Sequence, residues 1–341
     1  MKKIDKFKIH HYLIFAVILL TSMAICLGVG SVKISIGEIF EILFSKIKGE
    51  EMASAFSSII LAVRLPRVLT TALVGASLAL SGAAMQGLLR NPLAEGGTLG
   101  VTSGAALGAV IAIAYNIRIP GIPFGGTVVM AILFAFISIL IILSLSYKLD
   151  FNLTTNTIIL LGVIYSMFAS SIRSFIIVFA TNKLESITSW SMGSLAGSTY
   201  MGALIIFIVL IIFGAIILSK SQELDAFAIS EQNAAHIGVD VRRVKLSIMI
   251  CVSAIIGGSV AFSGSIGFVG LIIPHIMRRF VGPTHSKLLL VTAIGGSVFL
   301  LFADLVARTV LSPIELPIGV ITSFIGSVLF VYIYYSMRKV K

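Results

Sequence analysis

A chain of 341 residues that is 58% hydrophobic and only 11% charged, with a mean hydropathy of +1.10, lies outside the range of soluble globular domains. Its formal net charge of +11 does not indicate nucleic acid, because the basic residues flank apolar runs and do not gather on one polar face; orientation in a membrane accounts for them. The two cysteines, Cys26 and Cys251, stand in separate apolar runs, so neither a disulfide framework nor a metal site is implied.

In chain order, residues 1–28 carry the basic flank of a signal peptide, but the apolar run is long and no small-residue cleavage site follows, so an uncleaved first span is expected. The expectation is an all-α polytopic membrane protein of about ten spans, roughly 12–31, 58–87, 94–114, 124–147, 153–173, 198–219, 245–263, 267–281, 287–309 and 314–336, forming a single domain over 1–341. With the N-terminus inside, the inner loops hold most lysines and arginines: Lys2, Lys3, Lys6, Lys8, Arg90, Lys148, Lys220, Arg242, Arg243, Lys245, Arg278, Arg279, Lys287, Arg338, Lys339 and Lys341. The outer side keeps Lys33, Lys46, Lys48, Arg64, Arg67, Arg118, Arg173, Lys183 and Arg308. That bias places both termini in the cytoplasm.

Between the first two spans, Ser35-Ile36-Gly37-Glu38 has the spacing of a capping box. Ile36, Ile39, Phe40, Leu43 and Ile47 then share a face, which predicts an outer amphipathic helix over 36–48. Gly100, Gly104 and Gly108, and again Gly193 and Gly197, have the spacing of close-packing helix faces. Asn91-Pro92 and Ile273-Pro274-His275 predict discontinuous helices at membrane depth, which survive only inside protein or along a water-filled path. The Ala79-Leu80-Ser81-Gly82 stretch returns as Ala261-Phe262-Ser263-Gly264, and Arg64 and Arg67 find basic counterparts in Arg243 and Lys245. Five spans separate the two, as in an inverted repeat.

Residues 219–245 form the longest polar interval. Ser221 and Ser230 are candidate N-caps of two short helices, and Gly238 suits a left-handed stop. The topology makes this loop cytoplasmic. Elsewhere the chain lacks a phosphate-cradling G-x-x-x-x-G-K-[ST] loop, an H-E-x-x-H pair and a G-x-S-x-G elbow. His275 and His285 read as structural histidines. Asp304 and Arg308 are one helical turn apart and can pair near an outer span end. The middle of the bundle is expected to be nearly uncharged, against proton or sodium coupling. Energy must then come from a partner, and the polar loop is where it would act. Arg64 and Arg67, with Arg308 on the same outer surface, read equally as snorkelling side chains or as a docking site for a carboxylate-bearing partner.

Several stretches together resemble one family. RLPRVLTTALVGASLALSGAAMQGLLRNPLAEGGTLGVTSGAALG at 64–108, WSMGSLAG at 190–197, AAHIGVDVRRVK at 234–245, GSIGFVGLIIPHIMRRFVG at 264–282, FADLVAR at 302–308 and ELPIGVITSFIGSVLF at 315–330 are similar to the signatures of the FecCD-like ABC importer permeases for iron–siderophores and cobalamin. The chain departs from that pattern at Gly96, Ser265, Ser327 and Val328. The resemblance implies the type II ABC importer permease fold with a five-plus-five inverted repeat, paired with a second permease copy or close paralogue. It implies two separate ATP-binding cassette subunits that bind the ATP and magnesium, no cofactor in this chain, and an extracytoplasmic binding protein that delivers an iron(III)–siderophore, or alternatively haem or cobalamin. Its docking arginines correspond to Arg64, Arg67 and Arg308, and its paired coupling helices to residues 221–240, with Glu223, Ala234, Ala235, His236 and Gly238 as candidate contacts. Ser81, Gly82, Asn91, Pro92, Gly264 and Pro274 are the candidate translocation-path and helix-break residues. The fifth and tenth spans and the short segment after the fifth would line that path.

Overall fold

A computed structural model describes residues 9–30, 32–49, 56–120, 124–150 and 153–338; the terminal lysines used in the orientation argument, Lys2 to Lys8, Lys339 and Lys341, lie outside them, as does Ser31 at the end of the expected first span. Every described regular element is helical: α1 (Ile9–Gly28), α2 (Ile36–Lys48), α3 (Leu65–Leu88), α4 (Val101–Ala114), α5 (Gly125–Leu149), α6 (Thr155–Phe179), α7 (Leu184–Ser191), α8 (Tyr200–Ser219), α9 (Ser221–Ile229), α10 (Glu231–His236), α11 (Val241–Ser263), α12 (Val269–Val281), α13 (His285–Thr309) and α14 (Ile318–Arg338). By length and composition, seven are long and apolar enough to cross a membrane: α1, α3 with the π turn Ile59–Arg64 before it, α5, α6, α8, α11 and α13. Two shorter apolar stretches, α4 and Ile318–Tyr332 of α14, together with α12 stand at the three remaining expected spans.

The bundle is organised around α3, which is buried along nearly its whole length between α8, α11, α12 and α13. Its sequence explains why. Lipid gives two apolar helices no hydrophobic reason to associate, so contact must come from close packing, and α3 is rich in Gly, Ala and Ser. Gly75 faces Gly296 of α13 and Gly82 faces Gly270 of α12, backbone against backbone. Gly104 and Gly108 do the same for α4 against the Met130–Ser138 face of α5. The other expected glycine face is not a helix: Gly193 and Gly197 lie in the non-helical segment after α7, where Gly193 takes a φ of +79° against the Ser265 carbonyl.

Neighbour relations repeat between the two halves. α3 on α13 corresponds to α11 on α5, α3 on α12 to α11 on α4, α4 on α5 to α12 on α13, and α4 on α6 to α12 on α14. Helices five spans apart run in opposite directions, so this is an inverted repeat. The four-residue echo does not mark equivalent places, however. Gly82 is inside α3, whereas Gly264 terminates α11 with a φ of +68°.

Neither expected break interrupts a helix: Pro92 is exposed beyond the end of α3, with Asn91 half-buried beside it. After α3, Asn91 and Pro92 stand in a turn in which the Asn91 side chain accepts from the Leu93 amide at 2.9 Å, and a left-handed Gly100 opens α4. In the second half the break was expected at Pro274 but falls at residues 264–268, where Phe268 is left-handed; α12 then runs unbroken through Pro274. Proline removes the amide that would bond the carbonyl four residues back. Here that carbonyl, Gly270, accepts instead from Gln86 Nε2 at 3.2 Å, and Leu271 accepts from the same nitrogen at 3.1 Å. Gln86 Oε1 in turn takes a bond from Arg278 at 2.5 Å. Gln86→Leu should therefore strand the Gly270 carbonyl and the Arg278 guanidinium it meets and lower stability by about 1–3 kcal/mol. Thermal unfolding in detergent measures this; an unchanged midpoint would show that α12 does not depend on the bond.

α2 is defined by its own ends. Ser35 and Glu38 form the reciprocal capping box, and Gly49 closes the helix in a left-handed conformation. The Ser35 hydroxyl and amide hold the Glu38 carboxyl below its ordinary range.

Candidate functional site

Two polar clusters occupy opposite ends of the bundle. At the end carrying α2, Arg64, Arg67 and Arg308 come together as expected, but all three are buried and all have internal partners. Arg67 donates from Nε and Nη2 to Asp304 at 2.8–3.2 Å and from Nη1 to Glu315 at 2.9 and 3.0 Å. The Asp304 carboxylate, 3% exposed, sits between Arg67 and Arg308, whose Nε is 3.5 Å away. The expected Asp304–Arg308 pair is thus the longer of two, and Arg67 is the main partner. Arg64 Nη1 donates to the carbonyls of Leu27 at 2.7 Å and Gly28 at 3.2 Å, its Nη2 to that of Val32, and Arg308 Nη2 to that of Cys26. The last carbonyls of a helix have no partner within it and carry partial negative charge, so two guanidinium groups cap α1. Glu315, with a 45% exposed side chain, is the outermost member. Sequence reasoning passed over it, although it begins the ELPIG stretch.

At the other end, α9 and α10 form the expected helix pair. Ser230 caps α10 by accepting from the Asn233 amide at 2.9 Å. Ser221 is not a cap; Lys220 holds that position without a side-chain bond, and Ser221 is the first helical residue. Gly238, at a φ of +90°, ends α10, with the Gly238 and Val239 amides donating back to Ala235 and Ala234, each at 3.0 Å. Leu224, Phe227 and Ala234 anchor the pair in the bundle, whereas Ala235, His236, Ile237 and Gly238 project from it. Glu223 pairs with Lys220 at 2.9 Å. Two further contacts were not foreseen. Asp225 of α9 accepts from the His285 amide at 2.8 Å and meets its Nδ1 at 2.7 Å, which gives that histidine the structural role expected of it. Glu231 of α10 meets Lys245 Nζ at 2.7 Å.

The expected path and break residues do not form one surface in the single chain. Ser81, Gly82 and Pro274 are packed inside it, Gly264 lies against Trp190, and Asn91 and Pro92 are in the turn after α3. A half-buried carboxylate was also unforeseen. Glu95 opens the turn before α4, bonded to the Phe268 backbone at the start of α12, and its neighbour Gly96 packs on Ile256 of α11. Among the described residues no group of three or more His, Cys, Asp or Glu is placed to hold a metal ion.

A helical bundle with an inverted repeat and a structured polar helix pair at one end defines a multi-pass membrane permease. Residues 17–336 match the model of the FecCD transport family, and the chain belongs to that family of ABC importer permeases. It is 38% identical over 328 residues to the ABC transporter permease protein YvrB of Bacillus subtilis, covering 94% of this chain and 92% of the relative. To the molybdate import system permease protein MolB of Haemophilus influenzae it is 36% identical over 324 residues, 94% of each chain. A solved inward-facing structure of a metal-chelate type ABC transporter superposes with a TM-score of 0.83 at 33% identity, covering 96% of this chain and 99% of the other.

Proposed function

We propose that this permease imports iron(III)–siderophore complexes across the cytoplasmic membrane as one of two copies, with both termini inside, and that separate ATPase subunits seat on α9 and α10. The chain performs no chemistry of its own in this reading. Relatives in the family are named for molybdate, cobalamin, hemin and iron chelatin import, so family membership leaves the cargo open. The observation that favours a bulky organic chelate is the character of α6 and α14. Leu160, Ile164, Met167 and Phe168 of α6 and Val320, Phe324 and Val328 of α14 are exposed in the single chain. Paired with a second copy, such faces give a wide apolar passage, which suits a chelate that shields its metal and offers few donors to a bare oxyanion. An extracytoplasmic binding protein then docks at the end carrying α2, with the Arg64, Arg67 and Arg308 cluster beneath it.

Uptake by the reconstituted complex tests the cargo. Labelled ferric siderophore should accumulate, and excess unlabelled siderophore should compete while haem, cobalamin and molybdate do not. Competition by haem or cobalamin alone would move the cargo within the chelate class; competition by molybdate alone would overturn the reading.

A further inference from the structure

Among the described residues Lys245 is the most deeply buried cation, with no exposed surface. A lysine in the first turns of a helix that begins at a polar loop can ordinarily reach water, so its burial has to be compensated locally. Two acceptors do this. Nζ donates to Glu231 Oε2 at 2.7 Å and to the Leu153 carbonyl at 2.8 Å. Glu231 is the first residue of α10, and its other oxygen faces the Thr155 hydroxyl at 3.4 Å, the first residue of α6. The corner before α6 is itself fixed: Leu153 is fully buried with a φ of +52°, and Asp150 accepts from the Thr154 amide at 3.0 Å. One ammonium group therefore joins three elements: α10, α11 and the start of α6.

The inverted repeat gives this junction a counterpart. Arg67 is in the first turn of α3 and reaches across to Asp304 near the end of α13, at the opposite end of the bundle. α11 corresponds to α3, and the residue before α6 that Lys245 meets, Leu153, corresponds to the stretch before α14, where Arg67 meets Glu315. Each half thus begins its central helix with a buried cation that reaches the same neighbour. Only the α11 copy also engages the projecting helix pair.

We propose that the Glu231–Lys245–Leu153 junction is the latch that carries displacement of the coupling helices into α6, with Glu231 and Lys245 as positioning residues for the transport cycle. This rests on the reading of α9 and α10 as the ATPase seat. A rigid, desolvated contact transmits a push, whereas the exposed tip at Ala235–Gly238 serves only to be gripped. The second tether, Asp225 to His285, leads to α13 and leaves α6 untouched.

Glu231→Gln with Lys245→Met tests the latch, because replacing a buried ion pair by neutral groups of similar size is often close to neutral for stability. Spin labels at Phe179 of α6 and Ile212 of α8, both exposed, report their separation in the permease reconstituted with its ATPase subunits in nanodiscs. ATP with vanadate should shift that distance in the parent chain. In the double variant the shift should vanish, and substrate moved per ATP should fall about tenfold, the scale of ordinary coupling energies, while the melting temperature and ATPase association stay as in the parent. Persistence of the shift in the double variant overturns the latch, as does its absence in the parent. Failure of the seat itself looks different: Ala235→Trp would then leave ATPase association intact.

Discussion

Arg67→Ala should leave little folded permease. The substitution strands Asp304, a carboxylate with almost no exposure, beside an Arg308 that reaches it only at 3.5 Å. Removing one partner from a buried ion pair costs about 3–5 kcal/mol, because the remaining charge is left desolvated and uncompensated. Glu315 loses its anchor at the same time, and with it the loop that leads into α14. Arg67→Lys should recover only part of the loss, since an ammonium cannot present Nε and Nη2 to one carboxylate while giving Nη1 to another. Arg67→Met combined with Asp304→Leu should recover part of it: the stranded carboxylate is gone, but Arg308 keeps only the Cys26 carbonyl and Glu315 stays without its anchor. Fluorescence-monitored unfolding in detergent ranks the three; a melting midpoint for Arg67→Ala equal to that of the parent would show that the pair carries no stability. The arginine cluster therefore builds the fold beneath whatever partner docks on it.

Gly82→Val should be the second severe change, for a steric reason. A Cβ at Gly82 would fall within contact distance of the Gly270 carbonyl oxygen and backbone, so α3 and α12 must separate. Overpacking a tight core typically costs about 1–3 kcal/mol, and more where the obstacle is backbone that cannot rotate away. The separation would also pull Gln86 from the carbonyls it satisfies. Folded yield should drop sharply for Gly82→Val and visibly for Gly82→Ala. Gly267→Ala is the control: nothing stands within 4 Å of a Cβ there. Equal yields for all three would contradict the close approach.

Much of this architecture was legible in the sequence. Apolar runs of spanning length fixed the helices, and Ser35, Glu38 and Gly49 bounded α2 by local chemistry alone. Ser230 and Gly238 did the same for α10. What could not be read was whatever depended on contacts distant in sequence. Pro274 looked like a break because a proline interrupts its own helix; the side chain that repairs it, Gln86, lies 184 residues from Gly270. Arg64 looked like an unpartnered outer charge and Arg308 like a partner of Asp304 alone, since nothing local to them shows that the end of α1 lies beneath their guanidinium groups. Lys245 counted as a loop cation although its side chain is fully buried. Gly193 and Gly197 had helical spacing but non-helical surroundings, which spacing alone cannot distinguish. The polar loop was found by its composition, whereas the residues that fasten it, Asp225 and Glu231, were visible only as ordinary charges.

The central claim is that an external ATPase drives this permease through α9 and α10. The most direct test is uptake of labelled ferric siderophore into proteoliposomes holding the permease, with binding protein outside and ATP inside. Uptake should require the ATPase subunits and should be indifferent to an imposed proton or sodium gradient. Gradient-driven uptake by the permease alone would contradict the account.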